Sequence, residues 1–347
     1  MVLERIAAPL RVAYIGCGSY GTNLARAGRI SAAIEPVSCY DIQPDVGEAF
    51  ARAFEIRHAA ALDEILSDSQ IEAVIIASPN FAHHENAVPA ATAGKHVFVE
   101  KPIANDVCDA LSIIDQCKKN EVKLAVGHNA RFRSGHRKVK KMIENGDVGF
   151  PLGAEANFSH NYGLTMLPHE WRYSREKCPA LPLMQLGVHF VDTIHYFLGL
   201  ADEVFAYAQR SAIRAENDDS VVSLIRLKNG PLAYVGSYYA CPHNYYVHIH
   251  GTEGSLYCEG GNQLALRRID SRDYEPIAVE ENDTQIAELE DFARAVRTGA
   301  NPEVGGEAAL QALGVVRAAI QSAELSRPVK IEEVLGHLRP TQTGLLR

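Results

Sequence analysis

Apolar positions in the first third of the chain recur with two alternating periods. Arg11–Ile15 reads as a short strand running into Gly16, and Tyr20–Ala32 follows as a helix with Leu24, Ala27 and Ile30 near one face. Val37–Tyr40 is a second strand ending at Asp41, and Pro44–Phe54 is a helix with proline in its first turn. Ala73–Ala77, His96–Val99 and Lys123–Val126 read as further strands. Between them lie two helices. Ala82–Ala93 is stopped by Gly94, and Asp106–Lys119 closes on two lysines that suit the helix dipole. Strands alternating with helices of this length predict a parallel sheet covered on both faces.

After about residue 130 the pattern changes. Gly135–Glu144 reads as a basic helix linking two halves. Strand-like runs then dominate: Gly153–Phe158, Val204–Gln209, Ser220–Leu227, Leu232–Tyr239 and Tyr245–His250. Asn229-Gly230 between two of them is a hairpin turn, and one helix, Leu183–Phe197, interrupts the region. Consecutive strands with few helices imply an antiparallel sheet. Helices return at Thr284–Arg297 and Glu303–Leu325. A chain of 347 residues exceeds one ordinary core. We therefore expect a parallel-sheet domain over residues 1–130 and a second α/β domain over 131–347.

Composition narrows the partners. A net charge of −9 argues against nucleic acid, which needs clustered Lys and Arg. The one dense basic stretch, Arg131–Lys141, also fits a solvated helix face. No apolar run approaches the ~20 residues that span a bilayer, so no membrane partner is expected. Met1–Leu10 carries Glu4 and Arg5, and reads as a short arm rather than a secretory signal. The seven cysteines contain no C-x-x-C pair, which suits reduced thiols in the cytoplasm.

Gly16-Cys17-Gly18-Ser19-Tyr20-Gly21 fits G-x-G-x-x-G, follows the first strand and opens the first helix. The glycines allow a tight turn, close approach to a pyrophosphate and close helix packing. The helix N-terminus supplies unpaired N–H groups for the anion. Asp41, twenty residues beyond Gly21, can accept hydrogen bonds from the adenosine ribose and would repel a 2′-phosphate. Ile42, Gln43 and Pro44 bring no cation to offset that repulsion, so NAD is expected over NADP. Asp41 also reads as a cap for the next helix.

Ligands of such sheets bind at the carboxyl ends of the strands. Ser78-Pro79-Asn80 with His83, and Glu100-Lys101-Pro102, occupy two such ends. A lysine aimed into that crevice can stabilise an alkoxide; taken alone, Lys101 also reads as a surface residue. In the second half, Gln185, His189 and Asp192 fall at i, i+4 and i+7 of one helix. His189 has the intrinsic pKa of a general base. Gln185 can hold a substrate hydroxyl without taking its proton. Among fourteen histidines, a lone one on a helix also reads as structural.

At these residues the chain resembles the glucose-fructose oxidoreductase / inositol dehydrogenase / MocA family. The resemblance rests on the glycine loop, Ser78-Pro79-Asn80 with His83, Gly94-Lys95-His96, Glu100-Lys101-Pro102, Leu186-Gly187-Val188-His189 with Asp192, and Gly251–Leu256. It implies a Rossmann domain followed by an α/β domain with a large, mostly antiparallel open sheet whose face mediates homodimers or homotetramers. It implies NAD-dependent hydride transfer at a hydroxyl-bearing carbon of a sugar or polyol. Lys101 becomes the catalytic lysine and His189 the acid/base. Ser78, Pro79, Asn80, His83, Glu100 and Asn129 become cofactor neighbours. Many members carry aspartate four residues before the histidine, where this chain has Gln185. That removes a charge which would raise the imidazole pKa.

His160, Asn161, Tyr162, Glu170, Trp171, Arg172 and Tyr173 form the expected substrate loop. Trp171 can stack on a sugar ring, or pack structurally, and Arg172 can bind a carboxylate or a hydroxyl. His243, His248 and His250 invite a metal reading, but no nearby Cys or carboxylate in the sequence completes a shell, so no metal is expected. Rival functions are an NAD-retaining glycosidase of the same family and a non-catalytic dinucleotide sensor.

Overall fold

The computed structural model describes residues 8–336. The arm expected at Met1–Leu10 lies, over residues 1–7, outside the described residues. Contacts divide the chain into two units: one runs to Asn105 and adds Asp109–Lys138 and Ala278–Leu310, and the other takes the remainder. Residues 278–310, expected with the second domain, thus fall in the first unit.

The first unit holds β1 (Leu10–Ile15), α1 (Ser19–Ile30), β2 (Ile34–Tyr40), α2 (Pro44–Phe54), β3 (Arg57–His58), α3 (Leu62–Leu66), β4 (Ala73–Ile76), α4 (His83–Thr92), β5 (His96–Glu100), most of α5 (Val107–Lys119), β6 (Leu124–Gly127) and the start of α6 (Ser134–Glu144), whose residues from Val139 belong to the second unit. The six strands form one parallel sheet in the order β3-β2-β1-β4-β5-β6. All four residues of β4 are buried, as a strand covered on both faces requires. α1 ends at Ile30, two residues earlier than expected, because Ser31 leaves the helix and its hydroxyl accepts the Ala33 N–H. Ile30 is 70% exposed, so the buried face is built on Leu24, Ala25 and Ala27 instead.

The returning helix, α8 (Thr284–Thr298), packs Phe292 against Phe98 of β5, ring centroids 5.8 Å apart. Arg297 closes its end with a fork onto both oxygens of Glu72, at 2.5 and 2.7 Å. α9 (Gly306–Leu325) starts three residues later than expected. Its lead-in is extended: the Val126 N–H donates to the Val304 carbonyl, and Ala125 bridges Gly305.

The second unit holds β7 (Pro151–Ser159), α7 (Val188–Leu198), β8 (Ala201–Gln209), β9 (Ser220–Leu227), β10 (Leu232–Tyr238), β11 (Asn244–Gly251), β12 (Gly254–Glu259), β13 (Gln263–Arg268), β14 (Glu275–Ile277) and β15 (Val329–Lys330), with α10 (Ile331–Leu335). Its nine strands order as β14-β13-β12-β11-β7-β10-β9-β8-β15. Every pair is antiparallel except β7–β10, giving a mostly antiparallel open sheet. β9 alternates buried and accessible residues along its length, as one covered face demands. Gly230 turns the β9–β10 hairpin at φ +104. Among the described residues, no helix is long and apolar enough to cross a membrane.

Candidate active site

β1 runs into Gly16, whose φ is +93. A Cβ there would stand 2.5 Å from the Ser78 amide nitrogen, so the turn and the neighbouring strand end both exclude a side chain. A Cβ on Gly21 would stand 2.2 Å from the Gly16 carbonyl oxygen, which seats α1 tightly on the loop. Gly18 differs. It is the N-cap of α1, with no atom within 4 Å of its Cβ position. The first turn of α1, beginning Ser19-Tyr20, carries no acidic residue to repel an anion. Asp41 ties the end of β2 to this loop: Oδ2 accepts the Cys17 N–H at 2.8 Å and Oδ1 the Gln43 N–H at 2.9 Å. A carboxylate has about four acceptor sites, so two remain for ribose hydroxyls.

Ser78-Pro79-Asn80 follows β4. Asn80 is buried and its Nδ2 has no partner within the protein. An unmet buried donor costs about 1–3 kcal/mol, which a bound ligand can relieve. His83 links the ends of β4 and β5, its ring nitrogens each 2.9 Å from a carbonyl oxygen, of Ser78 and of Pro102. Burial pushes its pKa down to about 4, against the pull of those carbonyls. The ring is therefore neutral near neutrality and donates to one carbonyl at a time. The open Gly18 cradle, the Asp41 carboxylate and the unmet Asn80 amide together fit a dinucleotide.

Glu100 ends β5, and its Oε2 accepts the Lys101 N–H at 3.1 Å. The Lys101–Pro102 peptide is cis. Oε1 of Glu100 is buried without a partner, and a Cβ on Gly127 would overlap it at 2.5 Å. Burial raises the Glu100 carboxyl to about 8, against the opposing charge of Lys101. Glu288 of α8 is buried with both oxygens unpartnered, and desolvation followed by repulsion from Glu100 holds it well above the carboxylate range. Burial, then both carboxyls, raise the Tyr20 phenol too, while a hydrogen bond with Gln285 lowers it. Lys101 thus stands beside two carboxyls that favour their neutral forms. Asn129 instead donates to the Thr284 hydroxyl at 3.2 Å, at the start of α8.

In the second unit the expected helix opens as a π-helix over Leu183–Gly187 and continues as α7. The wider turn shifts the phase between Gln185 and His189, so their i, i+4 relation is not that of one α-helical face. Gly187 lets this turn sit on the sheet, since a Cβ would stand 2.7 Å from Ser237 Oγ. His189 is buried beside the Phe158 ring, centroids 5.8 Å apart, and Asp192 is fully buried. Arg172 Nε donates to Gln185 Oε1 at 3.0 Å, and its guanidinium lies over the Trp171 ring at 4.3 Å. One Trp171 face therefore holds Arg172. Tyr162 donates to Glu170.

The histidine pairs on β11 do have carboxylates across the strands, unlike the sequence expectation. His248 Nε2 is 2.7 Å from Glu259 and His250 Nε2 is 3.6 Å from Glu155. Among the described residues, no group of three or more His, Cys, Asp or Glu is placed to hold a metal ion. Glu288 was missed in sequence. Its signal was a glutamate in register with Phe292 and Ala295 on the buried stripe of α8.

Two family models match the chain: an oxidoreductase family with an NAD-binding Rossmann fold over residues 10–128, and its C-terminal alpha/beta domain over 140–331. Myo-inositol 2-dehydrogenase of Thermotoga maritima is 28% identical, the alignment covering 94% of this chain and 100% of that one. The 2,7-anhydro-N-acetylneuraminate hydratase of Escherichia coli K12 is 25% identical, over 93% and 97%. Among solved structures, a Desulfitobacterium hafniense DCB-2 protein provisionally named an NADPH-dependent oxidoreductase superposes with a TM-score of 0.90 at 32% identity, covering 94% of this chain and 99% of that one.

Proposed function

Because the chain belongs to the glucose-fructose oxidoreductase / inositol dehydrogenase / MocA family, and is an NAD-dependent oxidoreductase acting on CH–OH groups, we propose that it oxidises a hydroxyl of a sugar, a polyol or a sugar derivative. His189 accepts the hydroxyl proton and Lys101 stabilises the developing alkoxide. Bound nicotinamide supplies the two-electron hydride acceptor. Asp41 and the Gly16–Gly21 loop hold the adenosine and pyrophosphate, and Asp41 favours NAD over NADP. Gln185, Tyr162, Trp171 and Arg172 bind substrate.

The observation that carries this reading is Lys101 at the end of β5, beside carboxyls that favour their neutral forms, in the unit that carries the glycine loop. A charged lysine there adds its field to an oxyanion that forms beside it. We also propose that the chain works in the cytoplasm, which suits its seven free cysteines. The β11 face bearing Tyr246, His248 and His250 pairs with a second copy in this reading.

The test is a screen of monosaccharides, inositols, sugar acids and glycosides, with NADH read by absorbance and released sugar by chromatography. One relative is named a hydratase, so net NADH formation is the discriminating readout. NADH accumulating with a free sugar supports oxidation. Glycosidic cleavage without net NADH identifies the glycosidase rival, and NAD binding with no turnover of any kind identifies the sensor.

A further inference from the structure

Arg172 sits on the single helical turn Trp171–Tyr173 and is held from three sides. Its Nε donates to Gln185 Oε1 at 3.0 Å, its guanidinium lies 4.3 Å over the Trp171 ring, and its carbonyl accepts from the buried Asn217 amide at 3.0 Å. These contacts use one of the five guanidinium N–H donors and leave the terminal fork. Among the described residues, no carboxylate stands within ion-pair distance of Arg172. Glu170 feels the Arg172 charge without an ion pair to it, and it and the other neighbouring acids are engaged. Glu170 accepts from the Tyr162 hydroxyl and, at 2.7 Å, from the Leu167 N–H. Glu216 accepts the Arg175 N–H at 3.2 Å, and Asp218 pairs with the Arg175 guanidinium at 3.0 Å. An aspartate at position 185 would neutralise Arg172; the Gln185 amide orients it and leaves its charge in place. Gln185 leads directly through the π-helical turn to His189.

We infer that the Arg172 fork anchors an oxyanion group on the substrate, so that the enzyme selects acidic sugars over their neutral counterparts. A preorganised, half-buried guanidinium binds such groups through paired charge-assisted hydrogen bonds, for which lysine is a poor substitute. Carboxylate and phosphoryl groups share this chemistry. The inference rests on the reading that the site oxidises a sugar hydroxyl.

The test compares D-glucuronate, D-gluconate and D-glucose 6-phosphate with D-glucose, for the wild type, Arg172→Gln and Arg172→Lys. Both NADH formation and calorimetric binding to the NAD-saturated protein are read. The expected result is a preference for at least one acidic sugar. Arg172→Gln should weaken its binding and raise its KM about 10- to 100-fold, a larger loss than the same variant shows with glucose. Arg172→Lys should fall between. Whether the carboxylates or the phosphate ester benefit identifies which oxyanion is taken, and either supports the anchor. Equal handling of acidic and neutral sugars, or an equal loss for both in a variant of unchanged Tm, overturns it. Arg172-dependent acid binding without NADH would keep the anchor and remove the oxidation reading. NADH from neutral sugars without discrimination would do the reverse.

Discussion

In the parallel-sheet unit the candidate residues sit at strand ends and bind mostly to main chain. Asp41 holds the Cys17 and Gln43 amides, His83 faces the Ser78 and Pro102 carbonyls, and Glu100 holds the Lys101 amide. In the antiparallel-sheet unit they bind one another through side chains: Arg172 to Gln185, Tyr162 to Glu170. A side chain tied to main chain keeps its partner whatever side chain the partner residue carries. Side-chain ties can be rewritten by one substitution. The first arrangement suits a group common to many reactions, and the second suits a substrate that differs from enzyme to enzyme.

The largest expected effects come from one residue in each unit. His189→Ala should lower kcat about 10²- to 10⁴-fold with NAD affinity unchanged, and Lys101→Ala about 10²- to 10³-fold. Full activity in either variant would remove that assignment. Next, Gly21→Ala forces a Cβ to within 2.2 Å of the Gly16 carbonyl oxygen and should raise the NAD Kd roughly 100-fold. A titration showing unaltered NAD affinity would break the claim that backbone closeness holds the cofactor. Asp41→Ala frees two amides and removes the carboxylate facing a 2′-phosphate. The NAD-to-NADP preference should fall about 10-fold, as competition binding would measure.

The smallest effect is on stability. Glu100 titrates at about 8 in the folded protein against an ordinary value of 4.5, and burial raises Glu288 in the same direction. Below 4.5 the folded and unfolded carboxyls are both protonated. Between 4.5 and about 8 the unfolded chain loses the proton first, so stability declines as pH rises through that window and levels off above it. Thermal unfolding followed across the window should show Tm falling. Glu288→Gln should flatten that slope and raise Tm by a few degrees at its alkaline end. A slope unchanged by the substitution would contradict the burial of an acidic pair.

Local chemistry made parts of the fold readable. α2 is bounded by Pro44 and by Glu55 in the left-handed region, and β9 shows its alternation over Ser220–Leu227. Other parts depend on long-range packing. The run from Leu183 to Leu198 is apolar on nearly every side, so a change of helical pitch leaves no trace in its pattern. The amphipathic pattern of α8 says that it packs but not onto which unit, which hid Glu288. Gln185 lies thirteen residues beyond Arg172 across a largely irregular segment, and no periodicity spans it. The short strand β12 is touched in the sequence only by the Gly251–Leu256 resemblance, and β13, beyond the Gly260–Gly261 turn with φ of +57 and +90, gave no readable pattern.

The most direct measurement follows the hydrogen itself. With a sugar from the screen deuterated at its oxidised carbon, the mass of the NADH formed in one turnover is read. The account predicts one deuterium carried, as deuteride, into NADH in the wild type, with the rate of that transfer falling in Lys101→Ala and His189→Ala. NADH free of the label, or label released to water with no NADH, would contradict it.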